Sequence, residues 1–193
     1  LADGDPLVLS NRRLIPILEK INQVFPNLRR ISTYASPANL IKKTSDELKQ
    51  LKNNGLSLLY VGIESGDNEV LQAIQKGDTY QSTIDGINKS KAAGMDSSVM
   101  IINGVGGVMM SKQHAISSAN VLNQTQPKYA STLVLTMHKG LEHYKNRFLG
   151  DFKQLTNLQL FEEMSLFMNH LELNETIFRS DHASNSLVLK GVL

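Results

Sequence analysis

Three polar stretches of the sequence could carry chemistry, because each follows or interrupts an apolar run. Asp3-Gly4-Asp5-Pro6 places two carboxylates around a glycine, which suits a metal, a ligand ammonium group or a tight turn. Gly62-Ile63-Glu64-Ser65-Gly66 puts a carboxylate at the end of an apolar run, where it is partly desolvated and needs a partner. Asn103-Gly104-Val105-Gly106-Gly107 offers backbone amides that a ligand can approach closely.

Each stretch also has a purely structural interpretation. Asp and Gly are common turn formers, so the first stretch could be only a turn. Glu64 could pair with a neighbouring lysine while Ser65 or Asp67 caps the next helix. The glycines before Ser111 could form a mobile loop, and their spacing is neither a dinucleotide fingerprint nor a phosphate-binding loop.

The five histidines, at positions 114, 138, 143, 170 and 182, show no zinc-protease spacing. We therefore expect most of them to be surface or structural residues. The exception is the dense polar stretch 179–185, which contains His182 and Asn185. It could line a site, although a solvated connector explains it equally simply.

Composition excludes several classes of protein. The 193 residues carry 20 basic and 18 acidic side chains, so charge gives no indication of binding to nucleic acid or an anionic membrane. The absence of cysteine excludes disulfides, thiolate zinc, a catalytic thiol and a cysteine-held iron–sulfur cluster within these residues. Without a long apolar segment or a signal sequence, we expect a cytoplasmic protein.

Short apolar runs alternate with amphipathic segments, which is typical of an α/β fold with a mostly parallel sheet. Strands are predicted to begin near residues 1, 28, 56, 95 and 129, and helices are predicted over about 10–25, 44–54, 79–93 and 111–125. This pattern fits either an open flavodoxin-like sheet or an arc of a βα barrel. In both folds the site is expected at the carboxyl ends of the strands.

The last third of the chain differs from the rest. Residues 137–152 look irregular, a long helix is predicted over 155–173, and a terminal strand over 185–193. We therefore divide the chain into residues 1–136 and a C-terminal segment, 137–193, that completes the barrel.

Together these motifs resemble the radical S-adenosylmethionine (radical SAM) superfamily, near its coproporphyrinogen oxidase-like and methylthiotransferase-like iron–sulfur oxidoreductases. The resemblance covers residues 3 to about 136. Its most specific part is the stretch 62–66, followed by Glu69-Val70-Leu71 and by Lys76-Gly77. It implies an α/β fold that is a partial TIM-like (β/α)6 barrel of parallel strands, with the first strand missing.

The resemblance also implies roles for individual residues. Asp3, Gly4 and Asp5 occupy the place of a Gly-Gly-Glu-like motif, in which Asp5 would receive the amino group of SAM and Asp3 replaces a glycine. A second set of residues would lie along the cofactor: Glu64 and Ser65 near its ribose or methionine, Lys76 near its carboxylate, and Ile102 and Gly104 near its adenine. His182 and Asn185 are assigned only to a possible substrate contact.

One departure affects activity. The family binds a [4Fe–4S] cluster through Cys-x3-Cys-x2-Cys after its first strand, and this sequence begins after that point. The resemblance implies that the intact enzyme cleaves SAM reductively to a 5′-deoxyadenosyl radical, which abstracts hydrogen from an unidentified substrate. An electron donor is also implied, and the fragment alone is expected to be inactive.

Two alternatives stay open from the sequence. The chain could be a non-catalytic flavodoxin-like regulatory module in which Asp3, Asp5 and Glu64 form an acidic metal pocket. It could instead be a TIM-barrel fragment that uses Glu64 as a general base. A strand order without reversal favours the barrel, and a reversal beside the first strand favours the flavodoxin-like sheet.

Overall fold

A computed structural model describes residue 1 and residues 4–193 of the chain. Within these residues the strands are β1 (Ile31–Ala35), β2 (Leu56–Glu64), β3 (Asp96–Asn103), β4 (Tyr129–Val134), β5 (Ile177–Ser180) and β6 (Leu189–Val192). The α-helices are α1 (Asn11–Val24), α2 (Pro37–Lys42), α3 (Ser45–Asn53), α4 (Asn68–Ala73), α5 (Tyr80–Ala92), α6 (Gly107–Thr125), α7 (Leu141–Arg147) and α8 (Asn157–Asn169).

The strands form one sheet in the order β1-β2-β3-β4-β5-β6. Strands β1 to β5 are parallel, and β6 pairs antiparallel with β5. Because the order follows the chain without reversal, the sheet is not doubly wound. The fold is an open arc of a TIM-like barrel, which confirms the α/β barrel prediction and excludes the flavodoxin-like alternative.

Helices cover one face of the sheet. On that face Leu59, Val61 and Ile63 of β2 are fully buried in the main core. The alternate residues of β2 face the other way, where the rings of Tyr34 and Tyr60 lie with centroids 5.6 Å apart and Tyr34 is 42% exposed. The side chains therefore alternate between a helix-covered core and a more open face, as strand geometry requires.

Local sequence signals explain how helix α3 begins and how α3 and α5 end before the strands that follow them. Thr44 and Glu47 form the expected capping box of α3, with the Glu47 amide 3.1 Å from the Thr44 hydroxyl. Gly55 and Gly94 follow α3 and α5 with φ of 96° and 85°, a backbone conformation that glycine adopts without strain. The chain then enters β2 and β3, so the same helix–glycine–strand connection occurs twice.

The strand predicted to begin near residue 1 is wrong in the part that the structure describes, residue 1 and residues 4–9. Pro6–Val8 forms a 3-10 helix, and the Asp5 side chain caps it by accepting a hydrogen bond from the Leu7 amide at 2.9 Å. The fixed φ of Pro6 and the capping carboxylate both favour this turn over a strand. β1 therefore lies at one edge of the sheet.

The C-terminal third also differs from its prediction. The predicted helix over 155–173 is the shorter α8, and the predicted terminal strand is β6, which is antiparallel. The four-residue β5 was missed because it is too short to show a strand period. Since β5 pairs with β4, this segment continues the same sheet, while the division at residue 136 stays a prediction.

Candidate functional site

Glu64 and Lys76 form an ion pair at the carboxyl end of β2. The Lys76 Nζ lies 3.0 Å from the Glu64 Oε1, and the two side chains are 22% and 23% exposed. Glu64 has a φ of 62°, which is uncommon for a residue other than glycine and often marks a functional constraint. The pair therefore presents one negative and one positive group side by side to solvent.

Gly62 makes room for this arrangement. A Cβ atom at position 62 would lie only 2.8 Å from the Glu64 Oε1. The strand register also shifts between Gly62 and Glu64, so the end of β2 bulges relative to β3. The carboxylate of Glu64 thus folds back over the bare backbone of its own strand.

Asp78 is a further acid at this edge that the sequence analysis missed. Its carboxylate accepts a hydrogen bond from the Ala38 amide at 3.1 Å. Burial raises the pKa of Asp78, Lys76 opposes that effect, and the carboxylates of Glu64 and Asp5 add to it. Asp5, Glu64 and Lys76 are therefore close enough to Asp78 to influence its pKa.

Asp5 is already heavily hydrogen-bonded by the chain itself. Its Oδ2 accepts from the Ser36 amide at 2.7 Å, the Ser36 hydroxyl at 2.8 Å and the Asn39 amide group at 2.8 Å. These bonds fasten the segment before α1 to the carboxyl end of β1. The neighbouring Gly4 has a φ of 66° and open space around it, and Asp3 lies outside the described residues.

Ser65 points away from this edge into a buried polar network. Its hydroxyl lies 2.8 Å from the Nδ1 of His114 on α6 and accepts a hydrogen bond from the Asp67 amide at 3.0 Å. Burial lowers the pKa of His114 to about 4, against the opposing effects of Asp67 and the Ile102 carbonyl. The imidazole is therefore neutral at pH 7, and Nδ1 can accept the Ser65 proton.

Glu163 of α8 completes the network. Its Oε1 accepts the Gly104 amide at 2.7 Å, its Oε2 accepts the Ser111 hydroxyl, and the His114 Nε2 lies 3.9 Å away. Glu163 is only 3% exposed, and this burial raises its pKa to about 7, although both hydrogen bonds lower it. Since His114 is neutral at pH 7, the contact between them is not a salt bridge at that pH.

Ser65, His114 and Glu163 are the residue types of a hydrolytic triad, but their setting does not suit nucleophilic catalysis. Ser65 is fully buried and His114 is 1% exposed, so no substrate can reach the hydroxyl. The network instead joins the ends of β2 and β3 to helices α6 and α8. We interpret it as the support beneath the exposed carboxyl edge.

Ile102 and Gly104 lie at the end of β3, as predicted. Ile102 is half-buried and alternates with the buried Ile101, so it lies on the more open face of the sheet. Gly104 has a φ of 80°, and its amide is used by Glu163. A Cβ at this position would lie 3.0 Å from the Leu160 side chain, so the close packing also requires glycine.

The structure separates His182 from Asn185. The Asn185 side chain accepts from the Val134 amide at 2.8 Å and donates to the Thr132 carbonyl at 2.8 Å, so it extends the hydrogen bonding of β4. His182 is exposed and bonds only locally, to Ser184 at 2.8 Å. Their assignment to substrate stays a prediction.

The predicted residues thus fall into two groups. Glu64, Lys76 and Asp5 gather around the ends of β1 and β2, whereas Gly104 is held on the helix side by Glu163. Asp78, His114 and Glu163 were missed as members of the site. The signal for Glu163 was an acid beside Met164 in the apolar period of a helix, a pattern that more often places acids in solvent.

Residue 1 and residues 4–193 contain no group of three or more His, Asp or Glu side chains arranged to hold a metal ion. None of their helices combines the length and apolarity needed to cross a bilayer.

Several solved structures resemble the chain in fold. Coproporphyrinogen III oxidase (HemN) from Escherichia coli, a radical SAM enzyme, matches with a TM-score of 0.67 and 14% identity over 86% of this chain and 38% of that one. Elp3 from the archaeon Methanocaldococcus infernus matches with a TM-score of 0.58 and 17% identity over 79% of this chain and 36% of that one. Methylornithine synthase (PylB) matches with a TM-score of 0.57 and 14% identity over 84% of this chain and 44% of that one.

The chain spans less than half the length of each of these structures. At these identities the likeness concerns the fold. No curated protein gives a significant sequence match. The family model of the radical SAM superfamily matches residues 1–117, which is more than half of the sequence. The chain therefore belongs to the radical SAM superfamily.

Proposed function

We propose that the carboxyl edge of this sheet binds S-adenosylmethionine, with Glu64 and Lys76 at its amino-acid end and the end of β3 beside its adenosine. The observation that carries the proposal is the partly exposed Glu64–Lys76 ion pair, 3.0 Å from Nζ to Oε1. Membership of the radical SAM superfamily supports it, since SAM and a [4Fe–4S] cluster are the cofactors that this family implies.

The charges of the pair complement those of the cofactor. The amino-acid end of SAM carries an ammonium and a carboxylate on the same carbon. Glu64 can accept hydrogen bonds from the ammonium, and Lys76 can donate to the carboxylate. Because both side chains are about one-fifth exposed, they can exchange part of their mutual contact for the ligand.

Asp5 is a weaker candidate for the ammonium than Glu64. Three donors from Ser36 and Asn39 already occupy its Oδ2, and the Leu7 amide uses its Oδ1. We therefore propose that Asp5 acts mainly by holding the end of β1 in place. Ile102 offers an apolar contact for the adenine from the open face of β3.

The residues present do not fit the iron–sulfur cluster. The sequence contains no cysteine, so it cannot supply the thiolates that hold such a cluster. The thiolates would have to come from residues outside this sequence. We propose that the 193 residues bind SAM without cleaving it, as part of a cytoplasmic iron–sulfur oxidoreductase that acts on a small-molecule substrate with an external electron donor.

Isothermal titration calorimetry of the 193-residue chain tests the proposal. Glu64→Gln and Lys76→Met are each expected to weaken SAM binding by about tenfold to a hundredfold, since a hydrogen bond to a charged group contributes about 1.5–3 kcal/mol. The matched control is Lys145→Met, which breaks an exposed ion pair with Glu142 of 3.1 Å on α7.

A second ligand locates the effect on the cofactor. 5′-Deoxyadenosine lacks the amino-acid end, so both variants should bind it as the unsubstituted chain does. No SAM binding by the unsubstituted chain, or equal losses for SAM and 5′-deoxyadenosine, would overturn the proposal.

A further inference from the structure

The loop after β3 is held in place by the C-terminal third of the chain. Glu163 of α8 accepts the Gly104 amide at 2.7 Å, and Tyr144 of α7 donates its hydroxyl to the Val105 carbonyl at 3.0 Å. Gly104 itself has a left-handed φ of 80°, which glycine adopts without strain and which turns the chain away from β3 after this amide. The position of the loop therefore depends on helices that follow it in sequence.

We propose that Glu163 is a positioning residue whose charge sets how firmly the Gly104 peptide is held, and thereby the affinity of the carboxyl edge for the adenosine part of SAM. The second half of this proposal, the effect on affinity for adenosine, rests on the proposed function. The first half, the dependence of Gly104 on Glu163, concerns the chain without any ligand.

The side chains around Glu163 that the structure describes include no cation that pairs with it and keeps it ionised. His114 on α6 is neutral at pH 7, and Lys112 on α6 and Glu162 on α8 line the cleft beside it. Lys153, in the segment before α8, is exposed. Within the described part of the chain no lysine or arginine lies at salt-bridge distance from Glu163. Burial without a cationic partner raises its pKa to about 7.

The two protonation states hold Gly104 differently. An ionised carboxylate accepts the Gly104 amide in a charge-assisted hydrogen bond, which is about twice as strong as a neutral one. A protonated carboxyl can donate to Ser111 instead of accepting from it, and its bond to Gly104 weakens. Raising the pH from 6 to 8 should therefore fix the loop and favour adenosine binding.

NMR of the ¹⁵N-labelled chain without ligand tests the first half. The Gly104 amide should shift with pH with a midpoint near 7, and in Glu163→Gln it should not shift over this range. Gly94 serves as an internal reference, since its amide donates to the Lys91 carbonyl at 2.9 Å. A Gly104 amide that does not titrate, or titrates equally in Glu163→Gln, overturns the proposal.

A second variant keeps the test valid if Glu163→Gln does not fold. The Ser111 hydrogen bond lowers the pKa of Glu163, so Ser111→Ala should move the Gly104 midpoint to higher pH. An unchanged or lower midpoint contradicts the assignment of the titration to Glu163.

Calorimetry with SAM at pH 6 and pH 8 tests the second half. The ratio of affinities between the unsubstituted chain and Glu163→Gln should rise at least threefold over this range; this ratio cancels the titration of SAM itself. A constant ratio overturns the link to cofactor affinity. No SAM binding at either pH, with Gly104 still titrating, overturns the proposed function and leaves the link between Glu163 and Gly104 established.

Discussion

The Nδ1 of His114 lies 2.8 Å from the hydroxyl of Ser65, and both side chains are buried. This contact joins α6 to the residue directly after Glu64, so the buried network and the partly exposed ion pair share one short stretch of backbone. The orientation of Glu64 is therefore coupled to the packing of α6.

Replacing Ser65 with alanine should destabilise the fold. The substitution removes the partner of the buried His114 Nδ1 and of the partly buried Asp67 amide. We expect the free energy of unfolding to fall by about 1–3 kcal/mol, measured by urea denaturation. Ser57→Ala is the matched control on β2, because its hydroxyl makes only a 3.5 Å contact, and it should change stability by less than about 0.5 kcal/mol. Equal effects would contradict the role of the network.

Glu163 should make stability depend on pH. Its folded pKa of about 7 lies above its ordinary value of 4.5, so the folded state binds the extra proton between these values. Stability contributed by this group is therefore present below about pH 4.5 and is lost as the pH rises through 7. Between pH 4.5 and 8, the free energy of unfolding of Glu163→Gln should rise by about 3 kcal/mol relative to that of the unsubstituted chain. Urea denaturation at a series of pH values measures this difference.

Burial lowers the pKa of His114 to about 4, so His114 makes stability rise with pH between about pH 4 and its ordinary pKa of 6.5. This dependence is opposite to that of Glu163. The contribution of His114 is common to both proteins and cancels in their difference. A difference in stability that is constant with pH would show that Glu163 keeps its ordinary pKa in the folded chain.

Gly62→Ala should affect ligand binding more than stability. The added Cβ would lie 2.8 Å from the Glu64 Oε1, the end of a flexible side chain that can move away. Its displacement breaks the ion pair with Lys76, and we expect SAM affinity to fall by about tenfold, equivalent to about 1.4 kcal/mol. Thermal unfolding should change little, as in Gly191→Ala, where the added Cβ meets no atom within 4 Å.

Gly66→Ala, unlike Gly62→Ala, should strongly reduce the stability of the fold. Here the Cβ would lie 2.3 Å from the Ser117 carbonyl oxygen, a backbone atom of α6 that can move only with its helix. We expect a loss of at least about 3 kcal/mol in the free energy of unfolding, or no folded protein at all. A stable Gly66→Ala variant would show that α6 can shift away from β2 at little cost.

Strands β1 to β4 and the partly exposed acid Glu64 could be predicted from sequence because they leave local signals. The apolar run of β2 ends at Glu64, and parallel strands bring such ends together. Whether Glu64 pairs with a lysine or meets a ligand is not encoded in that pattern, and Lys76 is compatible with both. Asp5 shows the same limit, since one carboxylate can serve four donors of the chain or an outside ammonium.

Glu163 could not have been assigned in this way. Its partner is the backbone amide of Gly104, 59 positions earlier in the chain, and a backbone amide has no residue-type signature. The acid itself resembles any other on the polar side of a helix. Only the packing of α8 against α6 and the end of β3 reveals that it is buried.

Asn185 gives a final prediction, about the polar stretch near the C-terminus. Its side chain bonds to the Val134 amide and the Thr132 carbonyl, at 2.8 Å each, and to the Ser180 hydroxyl at 2.9 Å. Asn185→Ala removes these three hydrogen bonds at the ends of β4 and β5, although the Val134 amide keeps a 3.2 Å contact with the Ser184 hydroxyl. The free energy of unfolding should fall by about 1–3 kcal/mol. His182→Ala, in the same exposed loop, should change it by less than about 0.5 kcal/mol. Equal stability of the two variants in urea denaturation would show that Asn185 does not support the sheet. That result would favour a role for Asn185 in contacting substrate.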